Sequence, residues 1–266
     1  MQISTVRQEM VDLYASGMSM SQVGEQTGRT PSGVLWNLRK AGVVSRTMLE
    51  GVTLRGFRTL SLDENVFDSP TREGKYWLGF LMAEVGFQPR SFTVHLQAGD
   101  VNHLFKLKSF LKAGSPVKTG VRRYASGENK TRFNAHLSIS SKKIRAALET
   151  YGIVSNRTDS AVLPNSLSLD ADVWRGMVDG DGSICLGGRT GNTVLLSLVG
   201  SKAIMDQFLA FVKTLCVTKA SVRKIGRIFG VQLSATSAIA VIRALYEDAP
   251  VYLDRKYQIA QSILGS

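Results

Sequence analysis

The apolar positions of this chain alternate between a helical period and a strand period, and beyond residue 70 that alternation occurs twice. The run YWLGFLMAEVGF (76–87) has helix spacing, and FQPRSFTVHLQ after it reads as strand. A helix from about Asp100 to Lys112 follows. SPVKTGVRRY and TRFNAHLSIS then make a strand pair around the turn-rich ASGENK, and SSKKIRAALETYG is helical again. The order recurs from VWRGMVDGDGSI (173–184). ICLGGRT and TVLLSLVG read as strands, SKAIMDQFLAFVK as helix, ASVRKIG and FGVQLSA as strands, and SAIAVIRALYE as helix. LSISSKKIRAALETY and LSATSAIAVIRALYE align at a spacing of 96 residues. The pattern predicts an α+β domain built from a duplicated αββαββα unit, since independent features share one period.

The first helix of each copy carries the chemistry. Gly79 and Ala83 in one match Gly176 and Gly180 in the other, so each helix has small residues at i and i+4 on one face. Such faces let two helices pack backbone to backbone. Packed in parallel, they end with Glu84 beside Asp181. Both acids then sit where the helix dipole disfavours negative charge. Two adjacent carboxylates repel, and a divalent cation relieves both problems; hard oxygen ligands in small number favour Mg2+. Asp179 aligns with Met82, lacks a mate, and reads as structural or solvent-facing. Gly182 is expected to stop its helix in the left-handed conformation. Val85 stands at the matching place, where a β-branched residue would be costly, so the geometry of Glu84 is expected to suffer.

Ahead of the duplication, residues 5–42 read as three short helices. Val6, Met10, Leu13 and Tyr14 form one apolar face that ends at Gly17. Ser19 and Gln22 form a capping box for the second helix, which Gly28 breaks. Thr30-Pro31 opens the third, with Val34 and Leu38 inward and Gly42 at its end. The phrase LYASGMSMSQVGEQTGRTPSGVLWNLRKAGV resembles the helix-turn-helix of bacterial recombinases and regulators. That resemblance implies major-groove contacts from Arg29, Ser32, Trp36, Asn37 and Lys40. A three-helix packing or dimerisation module is the other reading. The expected division is a helix-turn-helix domain over 1–46, a linker over 47–70, and the duplicated domain over 71–266, with halves at about 71–165 and 166–266.

Charge changes the picture by its distribution. The chain has 33 Lys and Arg against 21 Asp and Glu, a net charge of +12, in 266 residues. Residues 1–70 are balanced, so the whole excess lies in the duplicated part, which suits a polyanionic partner such as nucleic acid. No apolar run reaches membrane-spanning length, and the N-terminus lacks a secretory pattern. Two cysteines and three scattered histidines make no disulfide framework and no zinc-finger spacing. The expected setting is intracellular, in a bacterial or phage-encoded protein.

Both copies of the helical motif, with the lead-in LSLDENVFDSPTREGKYWLGF, the middle YGIVSNRTDSAVLP and the late YLDRKY, resemble the LAGLIDADG homing endonucleases over roughly residues 60–260. The second copy matches closely; the first departs at Val85, where the family has Gly. The resemblance implies a monomer with internal pseudo-two-fold symmetry and a saddle of antiparallel sheets. Its substrate would be double-stranded DNA at a long, nearly non-palindromic site, with both strands cut by a metal-dependent reaction, Glu84 and Asp181 holding the metal. It also implies a water-polarising residue at the sheet edge, for which Lys142 and Gln97 are candidates. Strand residues Arg90, Lys118, Arg122, Arg123, Arg132, Arg189, Arg223, Lys224 and Arg227 form the expected contact set, some on phosphates rather than bases. A LAGLIDADG transcription regulator and an RNA maturase are the alternatives. Intron-encoded and free-standing origins both stay open, while intein residence is not expected.

Overall fold

A computed structural model describes residues 5–46, 61–88, 91–123, 131–154, 161–187 and 191–265. The chain divides into two compact units, Met1–Leu60 and Ser61–Ser266.

The smaller unit holds α1 (Thr5–Ala15), α2 (Met20–Thr27) and α3 (Pro31–Lys40). Met10, Tyr14, Val23, Val34 and Leu38 form its core. The expected start and stop signals operate. Ser19 and Gln22 exchange the two hydrogen bonds of a capping box, Gly28 closes α2 at φ +66°, and Thr30 caps α3 by accepting from the Gly33 amide.

The larger unit contains the predicted duplication. Its first half runs α4 (Arg72–Glu84), β1 (Val85–Gln88), β2 (Ser91–Gln97), α5 (Val101–Phe110), β3 (Lys118–Arg123), β4 (Thr131–Ile139) and α6 (Lys142–Thr150). The second half runs α7 (Ala171–Asp181), β5 (Ser183–Gly187), β6 (Thr193–Gly200), α8 (Lys202–Leu215), β7 (Arg223–Ile225), β8 (Ile228–Ser234) and α9 (Ala235–Tyr246). The stretch read as one strand after Glu84 is thus a hairpin of two. A further helix, α10 (Asp254–Leu264), was not predicted from the pattern. Residues 61–70, read as the end of a linker, pack on this unit through Leu62, Val66 and Phe67.

Each half forms a four-stranded antiparallel sheet of the same order, β1-β2-β4-β3 and β5-β6-β8-β7. Strand alternation gives each sheet a buried face and an open one. Phe92, Val94, Ala135, Leu137 and Ile139 of the first sheet and Leu196, Leu198, Val231 and Leu233 of the second are buried, and the helices cover them.

The helices α4 and α7 join the halves, in parallel and at backbone contact. A Cβ on Gly79 would lie 1.9 Å from the Val173 carbonyl oxygen, and one on Gly176 would lie 2.0 Å from that of Tyr76. A Cβ on Gly180 would lie 2.3 Å from Ala83 Cβ. The small-residue faces therefore do what their spacing predicts. Ion pairs brace the same junction: Arg72 bonds Asp172 at 2.9 Å and Asp248 at 3.1 Å, and Lys75 bonds Asp170 at 2.8 Å.

Candidate active site and nucleic-acid interface

Glu84 is the last residue of α4 and Asp181 the last of α7. Because these helices run in parallel, the two acids emerge on one side. The Gly180 backbone places an ideal Cβ only 3.4 Å from Glu84 Cγ. Glu84 is half-buried and Asp181 exposed.

The two helix ends correct the expectation about Val85. Neither stop is left-handed: Val85 has φ −71° and ψ 133°, and Gly182 has φ −87° and ψ 169°. In both halves the chain passes straight from helix into an extended strand, a conformation any residue adopts. Val85 is therefore unstrained, and its side chain is buried. Gly182 is needed for space instead, since a Cβ there would lie 2.6 Å from the Val178 carbonyl oxygen.

Asp179 is structural, and the solvent-facing reading of it is wrong. It is fully buried between the halves. Its Oδ1 accepts from the Tyr246 hydroxyl at 2.6 Å, and its Oδ2 accepts from the Tyr76 hydroxyl and the Leu253 amide, both at 2.8 Å. Burial pushes its pKa up while these donors pull it down. The Tyr76 hydroxyl also lies 2.9 Å from His103 Nε2. With its own proton on Asp179, it accepts from that nitrogen. Burial holds the His103 pKa down at about 3.

The cation that the acidic helix end calls for is Lys256, from α10. Its Nζ donates to the carbonyl oxygens of Val178 at 2.6 Å, Asp179 at 2.8 Å and Gly182 at 2.6 Å. It is only 3% exposed. Burial lowers its pKa to about 8, and the charges of Asp179, Glu84 and Asp181 oppose that shift. Lys256 lies within YLDRKY, but nothing local in that stretch ties it to a helix end more than 70 residues earlier. The segment around it also clamps the first half: Arg255 pairs with Asp100 at 3.0 Å and Lys106 with Asp254 at 2.5 Å.

The remaining candidates are dispersed. Gln97 donates its amide to Asp100 at 2.9 Å, which fixes it at the end of β2. Lys142 is exposed in the first turn of α6, next to the N-cap Ser141. Lys118, Arg223, Lys224 and Arg227 are exposed. Lys118 and Arg223 share register rows with open-face positions, whereas Lys224 pairs with Phe229 on the other parity. Arg122 and Arg132 are register partners, and Arg123 pairs with Thr131. Arg90 and Arg189 lie outside the described residues. In the smaller unit, Arg29, Ser32, Trp36 and Lys40 are exposed. Lys40 and Arg7 flank the Trp36 ring at 5.6 and 5.8 Å. Asn37 is half-buried and occupied within the unit, accepting from Arg7 Nε and donating to the Gly33 carbonyl.

Among the described residues no cluster of three or more His, Cys, Asp or Glu is placed to hold a metal ion, and no helix is long and apolar enough to cross a membrane. Two carboxylates on a shared, partly open edge match the sparse ligand set of Mg2+, which keeps several waters.

No family model matches the chain, and no curated protein matches it. Solved structures do. The homing endonuclease I-WcaI bound to its DNA recognition sequence is similar with a TM-score of 0.53 at 9% identity, over 82% of this chain and 96% of that one. The I-SmaMI LAGLIDADG homing endonuclease bound to cleaved DNA gives 0.46 at 15% identity, over 72% and 87%. The N-terminal LAGLIDADG domain of DUF199/WhiA gives 0.44 at 15%, over 74% and 92%. With two αββαββα halves joined through parallel helices, and I-WcaI matched over nearly its whole length, this chain has the fold of the LAGLIDADG homing endonucleases.

Proposed function

We propose that the chain is a divalent-metal-dependent DNA endonuclease, acting as a single chain that carries one acid in each half. The observation that carries this reading is the pairing of Glu84 with Asp181 at the ends of two parallel, backbone-packed helices. Such an arrangement concentrates negative charge where helix dipoles oppose it, in a protein otherwise strongly basic. A fold that needed only to pack would have no use for two carboxylates there. Glu84 and Asp181 would hold Mg2+, which activates water and stabilises the leaving oxygen in phosphodiester hydrolysis. Lys256 holds the end of α7 and offsets part of the charge, so the acids stay placed before any ion binds. The open faces of the two sheets, with Lys118, Arg223 and Arg227, would lie along the duplex. The exposed residues of α3 would add DNA contacts of the smaller unit's own.

The test uses purified protein and a plasmid library of the genomic DNA flanking its gene, with and without Mg2+. Cleavage at one site, dependent on the metal, is the expected result. Asp181→Asn should abolish cutting of at least one strand while DNA affinity stays within about threefold, since no phosphate contact is removed. Tight, site-specific binding with no cleavage under any divalent metal would instead make the protein a DNA-binding regulator.

A further inference from the structure

Two helix starts, one from each half, meet at a single polar cavity of the larger unit. A short 3-10 turn, Ala98–Asp100, leads into α5, and α10 begins at Asp254. No side chain caps either start, whether at Gln97 and Asp100 or at Leu253. Thr71, Ser141, Asp170 and Ser201 by contrast cap α4, α6, α7 and α8. First-turn amides without a capping oxygen, at the positive ends of two dipoles, suit an anion. Gly99, Asp100, His103, Asp254 and Arg255 line the cavity, which has a volume of about 370 Å3. A Cβ on Gly99 would meet nothing within 4 Å, so the backbone faces open space there.

The charges around the cavity favour one more anion. Asp100 accepts from Gln97 at 2.9 Å and from Arg255 Nε at 3.0 Å, and Asp254 accepts from Lys106 at 2.5 Å. Both carboxylates are thereby offset, and the Nη groups of Arg255 take no part in its pair. Lys256 adds a further positive charge. His103 narrows the choice of anion. It is 1% exposed, and its Nε2 donates to the Tyr76 hydroxyl, whose own proton is on Asp179. Nδ1 is then a bare acceptor, and no group among the described residues bonds it. Leaving a buried lone pair without a donor is costly. The Tyr252 carbonyl favours a proton on this ring but has none to give. An occupant of the cavity must bring the hydrogen itself.

We propose that this cavity binds a phosphate monoester, with its oxygens on the uncapped amides and Arg255 and its P–O–H on His103 Nδ1. Near neutral pH such a group keeps both negative charge and an exchangeable proton, because its second ionisation lies at about pH 6. A diester carries no such hydrogen, so the unbroken backbone of a nucleic acid does not fit, and sulfate lacks the hydrogen as well. A small phosphomonoester in solution and the 5′-terminal phosphate of a DNA strand offer the same chemistry. The bound pair holds one proton more than the free dianion and the neutral ring, on whichever side of the bond it sits. Affinity therefore falls as pH rises above the second ionisation of the ligand. The site does not depend on the metal-dependent cleavage proposed above.

The experiment titrates the full chain in EDTA with methyl phosphate, dimethyl phosphate and sulfate. Binding is read by calorimetry and by nitrogen NMR of histidine-labelled protein. At neutral pH methyl phosphate should bind at least about tenfold more tightly than either other anion, the worth of one charge-assisted hydrogen bond. Its affinity should fall severalfold between about pH 6.5 and 7.5 while that of sulfate stays level. That window lies below the value of about 8 at which Lys256 titrates. Methyl phosphate alone should move the His103 Nδ1 resonance from that of a bare acceptor toward that of a protonated nitrogen. His103→Phe, which removes the acceptor, should bring the three anions within about threefold of one another. The NMR readout on unsubstituted protein stands even where that variant does not fold. A DNA trinucleotide with and without a 5′-phosphate separates the two sources. Tighter binding of the phosphorylated form than of methyl phosphate assigns the site to strand ends, and weaker binding assigns it to small phosphomonoesters. Equal binding by the 5′-hydroxyl form, equal binding of methyl phosphate and sulfate, or a His103 resonance that methyl phosphate leaves unmoved would overturn the site. None of these results bears on cleavage, because the titration excludes the metal.

Discussion

The ammonium of Lys256 donates to the carbonyl oxygen of Gly182 at 2.6 Å, and so a residue near the end of the chain caps the helix that carries Asp181. The last carbonyls of a helix have no partners within it, and a cation there also opposes the dipole. Lys256 does both, with two more bonds to Val178 and Asp179. Lys256→Met should leave three buried or half-buried carbonyls without this donor and cost about 3 kcal/mol. In a domain of this size that is a fall in Tm of roughly 6–12 °C. Calorimetry checks it, and a fall under 2 °C (about 0.5 kcal/mol) would show that water replaces the ammonium at little cost.

The helix junction makes a sharper demand. Gly79→Ala would push a methyl to within 1.9 Å of the Val173 carbonyl oxygen, which belongs to backbone and cannot turn away. The expected result is loss of more than about 3 kcal/mol, or no folded larger unit at all. Gly99→Ala, where a Cβ would meet nothing within 4 Å, should stay within about 0.5 kcal/mol of the parent. Urea unfolding of the two variants side by side measures the contrast.

These residues also show what could be read from the sequence and what could not. Gly79, Ala83, Gly176 and Gly180 were legible because helix packing follows local spacing, and Glu84 and Asp181 because they end the same pattern. The sequence leaves Asp179 open between a structural and a solvent-facing role because its partners, Tyr76, Tyr246 and Leu253, come from three other places in the chain. Lys256 was hidden for the same reason. His95 and His136 look scattered in sequence and meet only through strand register. Gly182 was recognised as necessary for the wrong cause: sequence does not distinguish a glycine required by φ from one required by space.

His103 makes stability depend on pH. Its folded-state pKa is about 3, against an ordinary value of 6.5, because burial disfavours the charged ring. The unfolded chain therefore binds the extra proton between these values. The stabilisation is fully present above pH 6.5 and is lost as pH falls through that window. Its slope should approach about 1.4 kcal/mol per pH unit for this one group. His103→Gln, which retains a donor for Tyr76, should have a shallower acid slope than the parent. Identical slopes between pH 6 and 4.5 (about the upper half of the window) would mean that other groups govern acid unfolding.

Val85 supplies the last prediction, because sequence and structure disagree about it. Read from the motif alone, Val85→Gly should restore a family pattern and improve the first site. The backbone says otherwise. Val85 is extended at φ −71° and buried at 1% exposure, pairing with Val94 at the start of β1. Removing its side chain takes away a buried apolar group and adds the conformational freedom of glycine to the unfolded chain. Together these should cost about 2–4 kcal/mol. The helix end that places Glu84 would loosen as well, so under the proposed nuclease function the DNA strand assigned to Glu84 should be cut more slowly, not faster. A plasmid nicking assay with strand-resolved products, run beside thermal unfolding, separates the possibilities. Faster cutting of that strand by Val85→Gly would show that the left-handed stop is the better state after all. Slower cutting with a lower Tm would show that an extended helix-to-strand passage, filled by Val85, is what holds the first acid in place.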